Sequence, residues 1–313
     1  MGRRVINPVI LAVALAVGLF LLAGALQPGF LSLRQVYNVL RLAAFLGIIA
    51  AGQTLVILAG GEGIDLSVGA VATLGAILTF RLTAEWGAGP AILVALAAGL
   101  AIGGANGLGV TQLGVPPLVM TLGMTLVVEG LILAVTRGQL VGEVPRVLVA
   151  LVGPTPVGAV PGVLLLWALL AGLVALLLAR TRYGKHLYAV GTQRTVATLS
   201  GVRVHAVLVA TYALSGLAAS LGGVVILGYT QQVFLSLGDP YTLPSVAAVV
   251  VGGTALAGGQ GSYWGTVVGA IVLTLLSSLL TGLQLPEALR QIIYGVVLLG
   301  LLSVYGRQRA LRT

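Results

Sequence analysis

Apolar residues run along this chain in long blocks, separated by short clusters of glycine, proline and charge. The breaks divide it into about ten stretches, near 8–26, 36–59, 66–84, 89–111, 117–136, 162–180, 206–228, 243–257, 262–283 and 288–305. Apolar stretches of roughly 18 or more residues have the length a helix needs to cross the hydrocarbon core of a bilayer. The eighth stretch is short and rich in glycine, so it is expected to be a broken or re-entrant piece buried in protein. The pattern predicts an all-α polytopic membrane protein of about ten transmembrane helices, forming a single domain over 1–313.

Composition sharpens this picture. Of 313 residues 58% are hydrophobic and only 7% charged, against roughly a quarter charged in soluble domains. So little polar surface cannot solvate a monomer in water. There is no cysteine, which removes disulfides and thiolate metal sites, and two histidines (His186 and His205) cannot build a metal cluster. The net charge of +9 is not gathered into one basic patch, so it argues for topology rather than for nucleic acid.

The basic residues orient the chain. With the N-terminus inside, the inner segments hold Arg3, Arg4, Arg180, Arg182, Lys185, Arg194, Arg203, Arg307, Arg309 and Arg312. Arg34, Arg41, Arg81, Arg137, Arg146 and Arg290 fall outside or at outer helix ends, diluted by Glu85, Glu143, Asp239 and Glu287. Ten against six predicts that both termini are cytoplasmic. Arg3-Arg4, the first apolar run and Ala23-Gly24-Ala25 imitate a secretory signal, but the run is longer than a usual signal core. An uncleaved first span is expected. The longest outer connection is about 138–161, with Pro145, Pro154, Pro156 and Pro161; the longest inner one is 181–204, the most polar part of the chain.

Few motifs carry chemistry. At 58–70 the chain reads LAGGEGIDLSVGA, placing Glu62 and Asp65 in a glycine-rich junction between two apolar runs. Asp65 precedes an apolar helix, so its carboxylate can accept from the free N–H groups of the first turn. A carboxylate in the membrane is also a candidate for gating or for the transport path. Glu62 can reach the inner water layer, and a flexible turn gives the two acids no fixed pocket for paired-carboxylate hydrolysis. Glu129, within MTLGMTLVVEGLILA at 120–134, should face protein or an aqueous cavity, with Arg137 or another outer arginine as partner, or else touch substrate. Asn106, in GGANGLGV, suits interhelical hydrogen bonding beside glycines that permit close packing. Gly184-Lys185 is followed by His186, and residue 179 is alanine, so no phosphate-binding loop is present. Gly60-Gly61-Glu62-Gly63 before Val68-Gly69-Ala70 is echoed by Gly258-Gly259-Gln260-Gly261 before Val268-Gly269-Ala270, suggesting an internal repeat of two halves.

Five segments in order, GIDLSVGA at 63–70, ANGLGVTQLGVPPLVMTLGM at 105–124, LSGVRV at 199–204, YALSGLAASLGGVV at 212–225 and VAAVVVGGTALAGGQGSYWGTVVGAIV at 246–272, carry a resemblance. The chain resembles the permease subunit of bacterial ATP-binding-cassette importers of the ribose, xylose and galactose type. That resemblance implies a non-catalytic, multi-pass subunit of the bacterial inner membrane that binds no cofactor, with ATP and magnesium on a cytoplasmic ATPase partner. It also implies an extracytoplasmic solute-binding protein, a second permease copy (identical or paired), surrounding membrane lipid and no nucleic acid. By the same resemblance the substrate pathway involves Gly63, Asp65, Ser67, Gly252, Gly253 and Thr254, to which Asn106 and Glu129 are added as polar residues within spans. The ATPase-docking segment matches 189–202, with Gly191, Thr192, Gln193, Ala197, Ser200 and Gly201 as its residues. Relatives commonly have Gly-Gly-Asn where this chain has Gly191-Thr192-Gln193, which implies a matched ATPase. The function expected is import of a monosaccharide. Import of a nucleoside or another small polar solute by the same machinery stays open, as does an ion-coupled carrier.

Overall fold

The computed structural model describes residues 8–153, 160–286, 288–290, 292–293 and 295–296. Every regular element among them is helical: α1 (Pro8–Leu26), α2 (Leu33–Leu58), α3 (Val68–Trp86), α4 (Ala88–Gln112), α5 (Pro117–Thr136), α6 (Arg146–Val152), α7 (Gly162–Arg180), α8 (Arg182–Thr192), α9 (Arg194–Leu199), α10 (Val204–Thr230), α11 (Thr242–Val251) and α12 (Tyr263–Gly282). Eight of these are long and apolar enough to cross a membrane: α1 to α5, α7, α10 and α12. They correspond within a few residues to eight of the ten expected stretches. The eighth stretch is broken as expected, since α11 stops at Val251 and the chain continues through turns to Ser262. The tenth, 288–305, falls mostly outside the described residues, as do Arg3, Arg4, Arg307, Arg309 and Arg312.

α10 is the central post, packed against α2, α3 and α4. In lipid the helices gain little from hydrophobic burial against one another, so close backbone approach through small residues holds them. Gly99 meets Gly216, Gly103 meets the Tyr212 carbonyl, and Gly107 meets Val209, so α4 runs antiparallel to α10. On α2, Gly52 abuts Ser215, while Ile49 fills the space beside Gly222. A side chain at Gly52, Gly99, Gly103, Gly107 or Gly216 would strike backbone, and one at Gly222 would strike the Ile49 side chain. Local signals set several helix starts: Ser32, Thr181 and Ser262 accept from Gln35, Gly184 and Gly265 N–H groups, and Pro117 occupies the first turn of α5.

α1 packs along α12. Gln27 Nε2 donates to the Leu279 carbonyl at 3.0 Å, and Ala23, at the imitated cleavage motif, is buried with Phe30, Leu275 and Leu279. Trp167, Tyr263 and Gly47 tie α7, α12 and α2 together: the indole N–H donates to the Tyr263 hydroxyl at 3.0 Å, which donates to the Gly47 carbonyl at 2.7 Å. The expected outer loop 138–161 is not all loop. It contains α6, whose Leu148 and Val152 are buried and whose Leu148 backbone lies against Gly228 of α10. Pro154 and Pro156 lie outside the described residues.

Adjacent glycines of α4 give a clean test of backbone packing. A Cβ at Gly103 would lie 2.9 Å from the Tyr212 carbonyl carbon and 3.0 Å from Ala213 Cα, whereas one at Gly104 would meet nothing within 4 Å. Gly103→Ala should lower the stability of the detergent-solubilised protein by about 1–3 kcal/mol, the range for overpacking. Gly104→Ala should leave the unfolding midpoint unchanged or raise it; equal midpoints for the two variants would contradict the α4–α10 contact.

Candidate functional site

Between α2 and α3 the chain is not helical, yet it lies inside the bundle. After Leu58 it turns at Gly60, Gly61 and Glu62, all three with φ between 59° and 69°, and runs back inward to Ser67. Glu62 is exposed, as expected of a residue reaching water, although a left-handed backbone is unusual for glutamate. By Asp65 the chain is level with Gln53, roughly 8 Å inside the end of α2 at 1.5 Å per residue.

Non-helical backbone at such depth needs partners from neighbouring helices. Gln53 of α2 supplies two when its amide is assigned the orientation its neighbours require: the nitrogen then donates to the Asp65 carbonyl and the oxygen accepts from the Asp65 N–H, each at 3.2 Å. From α5, the Thr121 and Thr125 hydroxyls donate to the Ile64 and Leu66 carbonyls, both at 3.2 Å. Arg194 of α9 donates from Nη2 to the Gly60 carbonyl at 3.0 Å.

The Asp65 carboxyl is fully buried and its hydrogen-bond donors are all neutral. Oδ1 accepts from the Ser67 N–H (3.0 Å) and hydroxyl (2.6 Å), and Oδ2 accepts from the Ser215 hydroxyl of α10 (2.7 Å). Asn106 of α4 donates from Nδ2 to the Ser67 hydroxyl at 2.9 Å, and its own Oδ1 is buried with no partner among the described residues. The cap expected of Asp65 is not made as such: Ser67 holds the N-cap position of α3, and Asp65 accepts from the Ser67 N–H in a two-residue turn just before the helix. The bond to Ser215 goes further and fixes the start of α3 to the central helix.

The structure therefore unites Gly63, Asp65, Ser67 and Asn106. Gly252, Gly253 and Thr254 stand apart from this cluster, at the end of α11, where Gly252 packs on Gly265 of α12 and the buried Thr254 hydroxyl has no partner among the described residues. Glu129 is separate from both groups. It is exposed on α5 and forms no ion pair with any described residue, so the expected pairing with Arg137 is not made.

A second cluster gathers at the end of the bundle where α8 and α9 lie. The two glycine turns that echo each other in sequence meet here around Gly191. Gly259 N–H donates to the Leu58 carbonyl at 3.0 Å, and a Cβ at Gly60 would lie 2.8 Å from the Gly191 oxygen and 2.9 Å from the Ala257 oxygen. Tyr188 donates to the Gly261 carbonyl at 2.8 Å, while Tyr183 pairs with Thr211 of α10 at 2.8 Å. Burial pushes the Tyr183 phenol up to about 12. The segment 181–204 is thus bolted to both turns and to the central helix.

The short helix expected before Ser200-Gly201 is α9. It ends in a Schellman motif: Val202 N–H bonds to the Ala197 carbonyl, Gly201 N–H bonds to the Thr198 carbonyl, and Gly201 has φ 81°. Two residues assigned to the docking segment face inward, since Gly191 and Ala197 are buried within this chain. Thr192, Gln193, Ser200 and Gly201 are exposed, and with them stand Val196 at 52% and Leu199 at 84% exposure. Sequence reasoning missed Val196, Leu199, Arg194, Gln53 and Ser215. The last two carried a readable signal, a lone polar side chain within an apolar span.

Removing the Asp65 carboxyl would leave buried donors on Ser67 and Ser215 without an acceptor. Asp65→Ala should cost about 3 kcal/mol in denaturant unfolding, Ser215→Ala about 1 kcal/mol, and Asp65→Asn less than Asp65→Ala because one oxygen survives. An unchanged midpoint for Asp65→Ala would show that the cluster contributes nothing to holding α3.

The chain is similar over residues 35–302 to the family described as branched-chain amino acid transport system / permease component. It is 35% identical over 287 residues to the ribose import permease protein of Escherichia coli (strain K12), covering 90% of this chain and 88% of that protein. It is 34% identical over 293 residues to the autoinducer 2 import system permease protein of Yersinia pestis (strain Pestoides F), covering 93% of this chain and 82% of that one. No solved structure matches it.

Proposed function

The chain belongs to the branched-chain amino acid transport system / permease component family, and from that premise we propose that it is the membrane subunit of an ATP-driven sugar importer. It is a multi-pass protein of the bacterial inner membrane. The family description names amino acids, whereas a relative matching nine-tenths of the chain is a ribose permease; the longer specific match favours a monosaccharide over a branched-chain amino acid. Nucleosides and other small polar solutes would use the same machinery, and competition against labelled ribose uptake separates them.

The observation that carries this reading is the α8–α9 segment. It exposes Val196 and Leu199 beside polar residues, yet is fixed through Arg194, Gly191 and Tyr188 to both glycine turns. An exposed apolar surface on a rigidly held segment suits a protein partner. With no phosphate-binding loop in the sequence, that partner is a separate ATPase holding ATP and magnesium, and this chain is non-catalytic and binds neither. Arg180, Arg182, Lys185, Arg194 and Arg203 gather at this end, which supports a cytoplasmic side for it and for both termini. The opposite end then meets the solute-binding protein, and a second permease copy completes the passage. Closure of the ATPase on ATP would move α8 and α9, and the two glycine turns with them, as a body.

Proteoliposomes holding the permease with its ATPase and binding protein should take up ribose only when supplied with ATP. Leu199→Asp should abolish uptake and ATPase binding while leaving the unfolding midpoint unchanged, since this side chain is outside the fold. Cysteine placed as Gln193→Cys should crosslink to the ATPase without background, the chain having no other thiol. Uptake by the permease alone on an ion gradient would contradict the importer reading.

A further inference from the structure

At the end of the bundle away from α8 and α9, the last turns of α3 and α5 enclose a cavity of about 540 Å³, lined among others by Arg81, Glu85, Ala134, Arg137, Gln139 and Gly142. Its rim is fixed. The Glu143 N–H donates to the Phe80 carbonyl at 2.9 Å, and a Cβ at Gly142 would lie 2.7 Å from the Phe80 carbonyl carbon. Three charged side chains border this space, and they make no ion pair with one another or with any described residue. Arg81 and Glu85 stand four residues apart on α3, the spacing at which opposite charges on a helix usually meet. Arg81 turns away instead, and its Nη1 donates to the Val135 carbonyl in the last turn of α5. That bond uses one of the five donors of a guanidinium. Arg137 follows α5 in left-handed backbone, φ 50° and ψ 31°, where glycine is favoured, and its guanidinium bonds to no described residue.

The cavity sits at the level of a membrane surface. Trp86 ends α3 about 8 Å beyond Arg81 at 1.5 Å per residue and is exposed, as tryptophans at the membrane–water interface are. Leu133 and Leu126, at helical spacing below Arg137 and so on its side of α5, are exposed as well. We propose that this cavity is a phospholipid headgroup site: Arg81 and Arg137 hold the phosphodiester, Glu85 holds a primary ammonium, and an acyl chain lies along Leu133 and Leu126. A simple anion would satisfy the arginines but oppose Glu85, and a sugar would leave all three charges without a counter-charge. A phosphate and an ammonium on one molecule match the whole set, and each then gains charge-assisted hydrogen bonds. An ethanolamine headgroup carries the two joined by a short ethylene bridge. This goes beyond the transport reading and holds whichever solute is moved.

The test is native mass spectrometry of the full-length permease in detergent, titrated with dioleoyl phosphatidylethanolamine or dioleoyl phosphatidylcholine. Soluble glycerophosphoethanolamine serves as the arm for a free phosphate ester. Phosphatidylethanolamine should be retained about tenfold better than phosphatidylcholine, whose quaternary ammonium has no N–H to donate to Glu85. Arg137→Gln removes no bond of the fold, so the unfolding midpoint should stay unchanged while phosphatidylethanolamine retention falls about tenfold. Glu85→Gln should erase the preference between the two lipids. Retention unaffected by Arg137→Gln, or absent from the wild type, would overturn the proposal. Glycerophosphoethanolamine held as tightly as the lipid would also overturn it, making the cavity a site for a soluble phosphate ester. Arg137→Gln that released the solute-binding protein but not the lipid would assign this surface to that partner, and the proposal would fall in that case too.

Discussion

The architecture depends on keeping a piece of non-helical backbone inside a membrane protein. From Ala59 to Ser67 the chain has no helix of its own to satisfy its N–H and C=O groups, and lipid offers none. Gln53, Thr121, Thr125 and Arg194 serve the backbone, while Ser67, Ser215 and Asn106 form a continuous hydrogen-bonded set around the Asp65 carboxyl. Apart from Ser67, which belongs to the segment itself, these residues belong to α2, α4, α5, α9 and α10. The segment can form only when those helices are already in place, and once formed it fixes their spacing.

The same requirement accounts for much of the glycine. For Ser215 to reach Asp65, α10 must lie close to α2 and α4, and Gly52, Gly99 and Gly103 provide that approach. At the end of the bundle, Gly60, Gly191 and Gly259 let three backbone segments touch with no side chain between them. Backbone-to-backbone contact is stiff, since no rotamer can absorb a displacement. A force on α8 would therefore reach Gly60 directly through Gly191, and Asp65 lies only a few residues beyond.

Much of the fold was legible in the apolar blocks, because a bilayer imposes a length that composition alone reveals. Eight spans, the break after α11 and the helix before Ser200-Gly201 all follow from local rules, whereas the cap of α3 falls to Ser67, two residues past the expected Asp65. Long-range partners were not legible. Nothing local to Asp65 names Ser215, a hundred and fifty residues away, and α6 was hidden by the prolines around it. Ala197 illustrates the limit from the other side. A resemblance placed it in a docking segment, but only the packing of α9 decides which of its side chains turn inward. Glu129 was read as a charge in need of a partner, and the described chain supplies none.

Hydrogen–deuterium exchange of the full-length permease in lipid nanodiscs, read peptide by peptide, tests most directly whether 59–67 is a clamped core segment. If the helices around it satisfy its backbone, its amides that carry bonds should exchange as slowly as those at the adjoining ends of α2 and α3. They should exchange far more slowly than those of 231–236, a connection of similar length at the opposite end of α10. Exchange of 59–67 as fast as that of 231–236 would mean that the segment is an ordinary loop, and the arrangement built around Asp65 would not stand.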